Sequence, residues 1–263
     1  SFNSNGFTVG AYSGNETNDD IVSWTFRKAP KWFDIVTYTG NTVGGSAQTI
    51  SHGLGSNVGM IIVKRYSTAD NWVVWHRYNA NAVGFLNLTN QFSTTNASSF
   101  ISSVSSTSFT VGESLNTNGE SFVAYLFAHN DGDGDFGPNG DQDIIKCGSY
   151  TGTGAAGNFI DLGFEPQWLM TKSATGSENW IIQDNMRSMT DTDYAWLRAN
   201  LSNAEIGGAF SGGTAAARPT GFVINNTGTS NNGSGSTYIY MAIRRGPLAA
   251  PESATDVFDV DIN

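Results

Sequence analysis

Short apolar runs recur along the chain, and almost all of them have the length and composition of β-strands. The clearest runs are residues 60–64, 71–76, 122–127 and 238–243, each rich in β-branched and aromatic side chains and bounded by Gly, Asn, Ser or Asp. Such runs between turn-forming residues predict strands. Only residues 96–104 and 200–205 could form short helices, because Gly, Ser and Thr interrupt every longer candidate. We therefore expect an all-β fold with very little helix.

The strand pattern is duplicated within the chain. Leu54 aligns with Leu162 and Trp72 with Trp180, and the offset of 108 positions (162 − 54 and 180 − 72) holds without a gap. A Tyr-Thr-Gly triplet precedes this segment in both copies, and the hairpin-like residues 109–127 correspond to 222–243. Two units with about seven or eight short strands each fit β-sandwiches better than propeller blades, which are shorter. We predict tandem β-sandwiches of the jelly-roll or lectin-like type.

The repeat also sets the expected boundaries. A third copy of the closing hairpin is predicted at residues 7–28, without the opening half of its unit. Two explanations stay open: further residues precede Ser1, which we favour, or these strands complete a neighbouring unit as an exchanged edge. The predicted organisation is a closing hairpin with a linker at 1–33, a first sandwich at 34–129, an acidic linker at 130–143, a second sandwich at 144–246 and an extended tail at 247–263.

Composition narrows the possible partners. Charged residues make up 14% of the chain and the net charge is −10, with 13 Lys and Arg against 23 Asp and Glu. A nucleic-acid partner is not expected, because phosphate binding requires a basic face. Membrane insertion is not expected either, since no apolar run approaches the ~20 residues of a spanning helix. A lone cysteine, Cys147, cannot form an internal disulfide.

The acidic linker is the one segment that suggests a metal. Its oxygen-bearing side chains alternate along the chain and could coordinate calcium, a hard cation that prefers such ligands; they are Asp131, Asp133, Asp135, Asn139 and Asp141. The EF-hand pattern fails, because Phe136 replaces the required Gly and Gln142 replaces the bidentate Glu. The alternative is a solvated acidic linker without a metal. No other cofactor is expected.

Catalytic chemistry is not indicated. None of the three histidines has a nucleophile and an acid beside it in the pattern, and the glutamates lack a partner carboxylate on the same strand face. We expect a protein that is not an enzyme.

Among the aromatic residues, Trp72 and Trp180 occupy equivalent repeat positions and are predicted to pack in the core of each unit. Trp75 lies on the opposite face of its strand and has no counterpart in the second unit, where Gln183 stands. Trp75 is therefore the better candidate for a ligand-binding residue.

Nearly the whole chain resembles a domain of uncharacterised function found in large structural and tail-fibre proteins of marine tailed phages. The strings that carry the resemblance are residues 33–41, 50–56, 59–65, 125–129, 143–149, 162–168, 184–187, 238–245 and 246–249. The resemblance implies a virion location on the extracellular surface and a concanavalin-like or jelly-roll β-sandwich. It brings no catalytic residues.

Pattern and resemblance together lead to an expected function. The chain is expected to be a virion fibre, appendage or decoration module that associates with itself, for example as a trimer, and with other virion proteins. Contact with host-surface polysaccharide fits this expectation. Two alternatives stay open: a lectin-like domain or polysaccharide-degrading tailspike, and a bacterial surface or filament adhesin.

Overall fold

The computed structural model describes residues 2–3, 6–9, 21–43, 45–192, 195–207 and 215–246. The predicted all-β fold is confirmed, and the helical content of these residues is limited to 3-10 turns at Arg77–Asn79, Ala97–Ser99 and Glu113–Leu115. Within these described ranges, no helix is long and apolar enough to cross a membrane. The expected helix at residues 200–205 does not form, since the Asn200 side chain instead accepts a hydrogen bond from the Trp180 amide.

The first unit is a sandwich of a large and a small sheet. Its strands are β3 (Phe33–Thr39), β4 (Gln48–Ser51), β5 (Val58–Arg65), β6 (Trp72–His76), β7 (Gly84–Phe85), β8 (Ile101–Val104), β9 (Ser108–Val111) and β10 (Ser121–Ala128), and they follow a short N-terminal pair, β1 (Phe2–Asn3) and β2 (Gly6–Phe7). The large sheet has the order β3-β10-β5-β6-β7, and the small sheet has the order β4-β9-β8. All pairings are antiparallel.

The second unit repeats this arrangement. Its strands are β11 (Ile145–Thr151), β12 (Asn158–Asp161), β13 (Pro166–Ser173), β14 (Ile181–Asp184), β15 (Ala195–Arg198), β16 (Ile206–Gly207), β17 (Ala215–Arg218), β18 (Gly221–Ile224) and β19 (Thr237–Arg244). The large sheet has the order β11-β19-β13-β14-β15-β16, and the small sheet has the order β12-β18-β17. The first strand of each unit therefore pairs with its last strand, which closes both sandwiches in the same way.

Side chains that occur in both units hold the sandwiches closed. The Tyr38 hydroxyl donates to Leu115 O at 3.0 Å, and the Tyr150 hydroxyl donates to Asn231 O at 2.8 Å. The glycine two positions after each tyrosine is required by a close approach. A Cβ on Gly40 would lie 2.1 Å from Thr117 O, and one on Gly152 would lie 2.2 Å from Gly233 O.

A second pair of equivalent hydrogen bonds fixes the start of β6 and of β14. Asn87 Oδ1 accepts from the Trp72 amide at 2.9 Å, and its Nδ2 donates to Asn71 Oδ1. In the second unit Asn200 makes the same two bonds, to the Trp180 amide and to Asn179 Oδ1. Such amide side chains satisfy backbone groups that the short ladders leave unpaired.

The outer face of the second unit's large sheet is buried against the first unit. Strand β19 alternates: Tyr238, Tyr240 and Ala242 pack inside the second sandwich, whereas Ile239, Met241 and Ile243 join the core of the first unit. The approach is close, since a Cβ on Gly59 would lie 2.6 Å from Cys147 Sγ. The two units thus share one continuous core and are not joined by the linker alone.

Duplicated positions differ at this junction. Trp180 is buried between the units, where its Nε1 donates to Phe85 O at 2.9 Å, instead of filling its own unit's core. Lys172 is fully buried, and its ammonium donates to the carbonyl oxygens of Thr89, Ser173 and Gly176. Burial lowers the pKa of Lys172 to about 8. The equivalent Lys64 instead donates to Asp70 O at the exposed end of β5.

Replacing Asn232 with alanine tests the closure of the second sandwich. Asn232 is fully buried, and its amide bonds Thr153 N at 2.9 Å, Ala155 O at 2.8 Å and Asn226 O at 2.6 Å. Asn232→Ala leaves these groups without partners, so we expect the free energy of unfolding to fall by about 3 kcal/mol. Urea titration followed by tryptophan fluorescence measures the loss. Asn90→Ala, at an exposed position, is the control and should stay within about 0.5 kcal/mol; equal losses in both variants would contradict the assigned role.

Candidate functional site

Residues 21–28, here called the strap, cross the groove between the two units without joining a sheet. The strap makes no backbone–backbone hydrogen bond with the other described residues, and side chains alone hold it in place. The Trp24 ring packs edge-on against Trp168 with centroids 6.2 Å apart. The Phe26 ring packs against Phe33, Phe127 and Trp168. The strap therefore contacts both units at once.

The third closing hairpin, predicted at residues 7–28, lies partly outside the described residues and stays a prediction. Phe7 pairs with Phe2 in the β1–β2 ladder, residues 10–20 lie outside the described part, and the strap remains unpaired. The strap has a strand-like composition, but its aromatic side chains anchor it to the two units and its backbone pairs with no described strand. At its C-terminal end, Lys28 Nζ lies 2.6 Å from Asp34 Oδ1, and Asp34 Oδ2 also accepts from the Gly53 amide.

An ion-pair network fixes Trp24. Its Nε1 donates to Asp184 Oδ2 at 3.0 Å, and the same oxygen accepts from Arg187 Nε at 3.0 Å and Nη2 at 2.8 Å. Arg187 also pairs with Glu205, and its guanidinium lies 5.3 Å from the Trp24 ring centroid. Charge compensation and stacking hold these groups together in a partly buried environment.

Two hollows flank the strap. The first, here called the strap cleft, has a volume of about 350 Å³ and lies between the strap and the second unit; its walls include Trp24, Trp32, Gln167, Trp168, Asn185 and Arg187. The second, of about 490 Å³, lies against the first unit's large sheet and is lined by apolar groups such as Phe7, Ile35, Trp72 and Tyr125. The strap cleft combines aromatic walls with polar groups, which is the usual composition of a ligand site.

Polar groups in the strap cleft are incompletely satisfied by the protein. Trp168 is 5% exposed, and its indole Nε1 has no hydrogen-bond partner among the described residues. Gln167 sits at a β-bulge, where the pairing of β13 with β19 shifts between Pro166 and Trp168. Bulges re-aim side chains and are common beside functional sites. Here the bulge leaves the Gln167 side chain exposed at the cleft.

Trp75, the ligand candidate from the sequence, lies inside the first sandwich. It is 8% exposed, and its Nε1 donates to Ala80 O at 3.0 Å. Trp72 lies on the opposite face of β6, where it lines the apolar hollow, stacks on Tyr125 and is only partly buried. The face of β6 that carries Trp75 is the interior one, and ligand binding by this residue stays a prediction.

Two of the predicted calcium ligands, Asp133 and Asp135, use their carboxylates to hold the linker. Asp133 accepts from the Asp131 amide at 3.1 Å and from Ser56 Oγ at 3.3 Å, and Asp135 forms an ion pair with Lys31 at 2.6 Å. Asn139 and Asp141 follow in the turn enclosed by the Phe136–Gln142 bridge. Across the described ranges, no group of three or more His, Cys, Asp or Glu side chains is arranged to hold a metal ion. Calcium binding here stays a prediction.

Two histidines are buried where the units meet. His76 Nε2 lies 3.1 Å from Tyr240 O, and its Nδ1 accepts from the Tyr78 amide, so the ring is neutral with its hydrogen on Nε2. His129 Nδ1 accepts from the Cys147 amide at 3.2 Å. Burial lowers the pKa of both imidazoles to about 4, and it raises the pKa of the Cys147 thiol. These groups are buried at the junction, where the imidazoles hydrogen-bond backbone atoms of the second unit and of the turn after β6.

Sequence reasoning missed the strap cleft for identifiable reasons. Trp24 and Asp184 are 160 positions apart, and no local pattern connects them. Trp168 has Met60 as its repeat counterpart, so comparison of the units gives no signal for it. The bulge at Gln167 is invisible in the apolar pattern. Its repeat counterpart, Gly59, lies at the matching register shift in β5, between Val58 and Met60.

Removing the Trp24 side chain should release the strap. Trp24→Ala loses one charge-assisted hydrogen bond and the burial of a large ring, so we expect tryptic cleavage after Arg27 and Lys28 to accelerate by about tenfold or more. Mass spectrometry of timed digests measures this rate. Trp24→Phe keeps a ring but loses the bond and should be intermediate, and Val43→Ala, at a position 78% exposed, should match the wild type. An unchanged rate in Trp24→Ala would show that the strap is held by other contacts.

The buried histidines should make stability depend on pH. The pKa of His76 is about 4 in the folded state against 6.5 for a free imidazole, so the unfolded chain binds more protons between these values. Stability is therefore fully present above pH 6.5 and falls as the pH drops to about 4, with a loss on the order of 3 kcal/mol from His76. Urea unfolding at a series of pH values measures it.

His76→Gln is the matched variant for this prediction, because it keeps a donor for Tyr240 O but does not titrate. It should be less stable than the wild type at neutral pH, and the difference should shrink toward pH 4. A difference that stays constant with pH would contradict the assignment.

Comparison with known proteins gives a family but no characterised relative. No curated protein and no solved structure matches the chain. A family model described as "Domain of unknown function (DUF7483)" matches residues 1–247. The expectation of a family without an assigned function that spans nearly the whole chain is confirmed. The chain belongs to this family.

Proposed function

We propose that the chain is a non-catalytic structural module on the extracellular surface of a tailed-phage virion, acting as part of a fibre, appendage or decoration. The observation that carries this proposal is that the polar residues found in both units bind backbone groups. Tyr38 and Tyr150 close the two sandwiches, and Asn87 and Asn200 fix equivalent strands. The duplication thus retained groups that hold backbone.

The junction between the units supports a building block rather than a hinged protein. The core that contains Phe127 and Val74 of the first unit also contains Met241 and Trp180 of the second. A large apolar interface of this kind favours one rigid body, because separation would expose the whole outer face of a sheet. Rigid β-modules with neutral polar surfaces suit a particle exposed to the medium.

Self-association forms part of the proposal. Strand β3 is the outermost strand of the first large sheet and pairs only with β10 among the described strands. Its Ile35 side chain is 40% exposed, so this edge combines unpaired backbone groups with apolar surface. Edges of this kind invite pairing with another chain. We propose that copies of the module, and other virion proteins, cover it in the particle.

Particle composition tests the proposed function. We expect the chain in purified virions from the source culture at a fixed copy number by quantitative mass spectrometry, and immunogold labelling on an external structure. An antibody against an internal capsid protein serves as the control, since it should label only opened particles. Recovery of the chain solely from the cell envelope or the culture fluid would refute the virion proposal. Shortening of host polysaccharide by the purified chain would refute its non-catalytic part.

A further inference from the structure

We propose that the strap cleft binds one neutral sugar ring, a hexopyranose residue of a polysaccharide. This inference goes beyond the structural function proposed above, which supplies only the setting in which the cleft would meet glycans. It rests on four features of the cleft: an unsatisfied buried donor, two available amides, an ion-pair network in which one cation faces two carboxylates, and aromatic walls.

The first feature is the Trp168 indole. Its Nε1–H is buried and lacks an acceptor among the described residues, although the ring lines the cleft. A buried donor left unpaired costs about 1–3 kcal/mol, and a shift of the ring that brought Nε1 to a ligand oxygen would recover this energy. An indole N–H can only donate, so the group that it favours is an acceptor such as a sugar hydroxyl or ring oxygen.

Two amide side chains supply the complementary hydrogen bonds. Gln167 lies at the bulge in β13, and Asn185 begins the turn after β14. The backbone N–H of Asn185 donates to the backbone oxygen of Gln167 at 3.0 Å, so the two residues are neighbours. Both side chains line the cleft. A side-chain amide both donates and accepts, as a sugar hydroxyl does, so the pair can bind neighbouring hydroxyl groups.

The charges nearby select against an anionic ligand. Asp184 is neutralised by Arg187, which also pairs with Glu205, and the Trp24 indole occupies the same Asp184 oxygen. Among the described residues that line the cleft, Arg187 is the one cation, and its two carboxylate partners leave it unavailable for a sulfate, phosphate or uronate. A neutral polyol loses less solvation on entering such a site than a charged ligand does.

The walls and the volume suit a pyranose ring. Trp24 and Trp32 are partly exposed at the cleft, and Met186, 90% exposed, stands at its rim. Aromatic faces accommodate the C–H surface of a sugar while the hydroxyl groups reach the amides. The volume of about 350 Å³ lies at the small end of the usual range for ligand pockets, about 300–1,000 Å³, which suits a single ring rather than a long oligomer.

Saturation-transfer NMR on the full chain tests the site. The probes are trisaccharides of glucose, galactose and mannose, with a uronate trisaccharide as the charged comparison. We expect signal transfer to at least one neutral trisaccharide and weaker transfer to the uronate. Titration followed by tryptophan fluorescence then gives the dissociation constant. Gln167→Ala and Asn185→Ala should each raise it about five- to tenfold, the loss of one hydrogen bond.

Matched variants separate binding from folding. Trp168→Phe keeps a buried ring but removes the donor and should also weaken binding, whereas Gln91→Ala and Asn90→Ala alter exposed amides of the first unit and should change nothing. The inference is overturned if no neutral trisaccharide binds, if the uronate alone binds, or if binding is undiminished in both Gln167→Ala and Asn185→Ala. These outcomes do not depend on where the chain sits in a particle, so failure here and failure of the virion proposal can be told apart.

Discussion

The structure depends on the burial of one sheet face. The large sheet of the second unit is apolar on both sides, with Tyr240 directed into its own sandwich and Met241 directed toward the first unit. A β-sandwich can cover only one of these faces with its small sheet, so the other face must find another protein surface. The first unit provides that surface, and the strap covers what remains. The strap and the buried histidines His76 and His129 lie where this sheet face is covered.

The duplication shows how equal sequence positions acquire unequal roles. Lys64 and Lys172 align, yet one bonds Asp70 O at an exposed strand end and the other is buried against three carbonyl oxygens. Trp72 and Trp180 also differ in burial, since Trp72 is partly exposed and Trp180 is buried between the units. The difference lies in packing: the first unit's loop after β7 reaches the second unit's sheet, and among the described contacts no counterpart reaches back. The assembly of the two units is therefore asymmetric, although the units share one topology.

Much of the fold was predictable because it is encoded locally. The β-branched and aromatic runs around Ile62 and Tyr240, bounded by turn residues, predict strands. Because the repeat is free of gaps, the strands of the second unit can be predicted from those of the first. The orientation of the faces was not predictable, because β6 carries Trp72 on one side and Trp75 on the other. Alternation separates two faces, but it cannot say which one is interior when both are apolar. The strap cleft was beyond local patterns, since it is assembled from distant segments.

The way in which the strap is attached has a mechanical consequence. Tension applied at residue 21 would be transmitted through two aromatic anchors, Trp24 on the second unit and Phe26 on the first, and then through Lys28 to Asp34 at the base of β3. A force entering there is shared between both sandwiches before it reaches any β ladder. Because no ladder hydrogen bonds join the strap to the other described residues, pulling it away would break side-chain contacts and one ion pair before any β ladder.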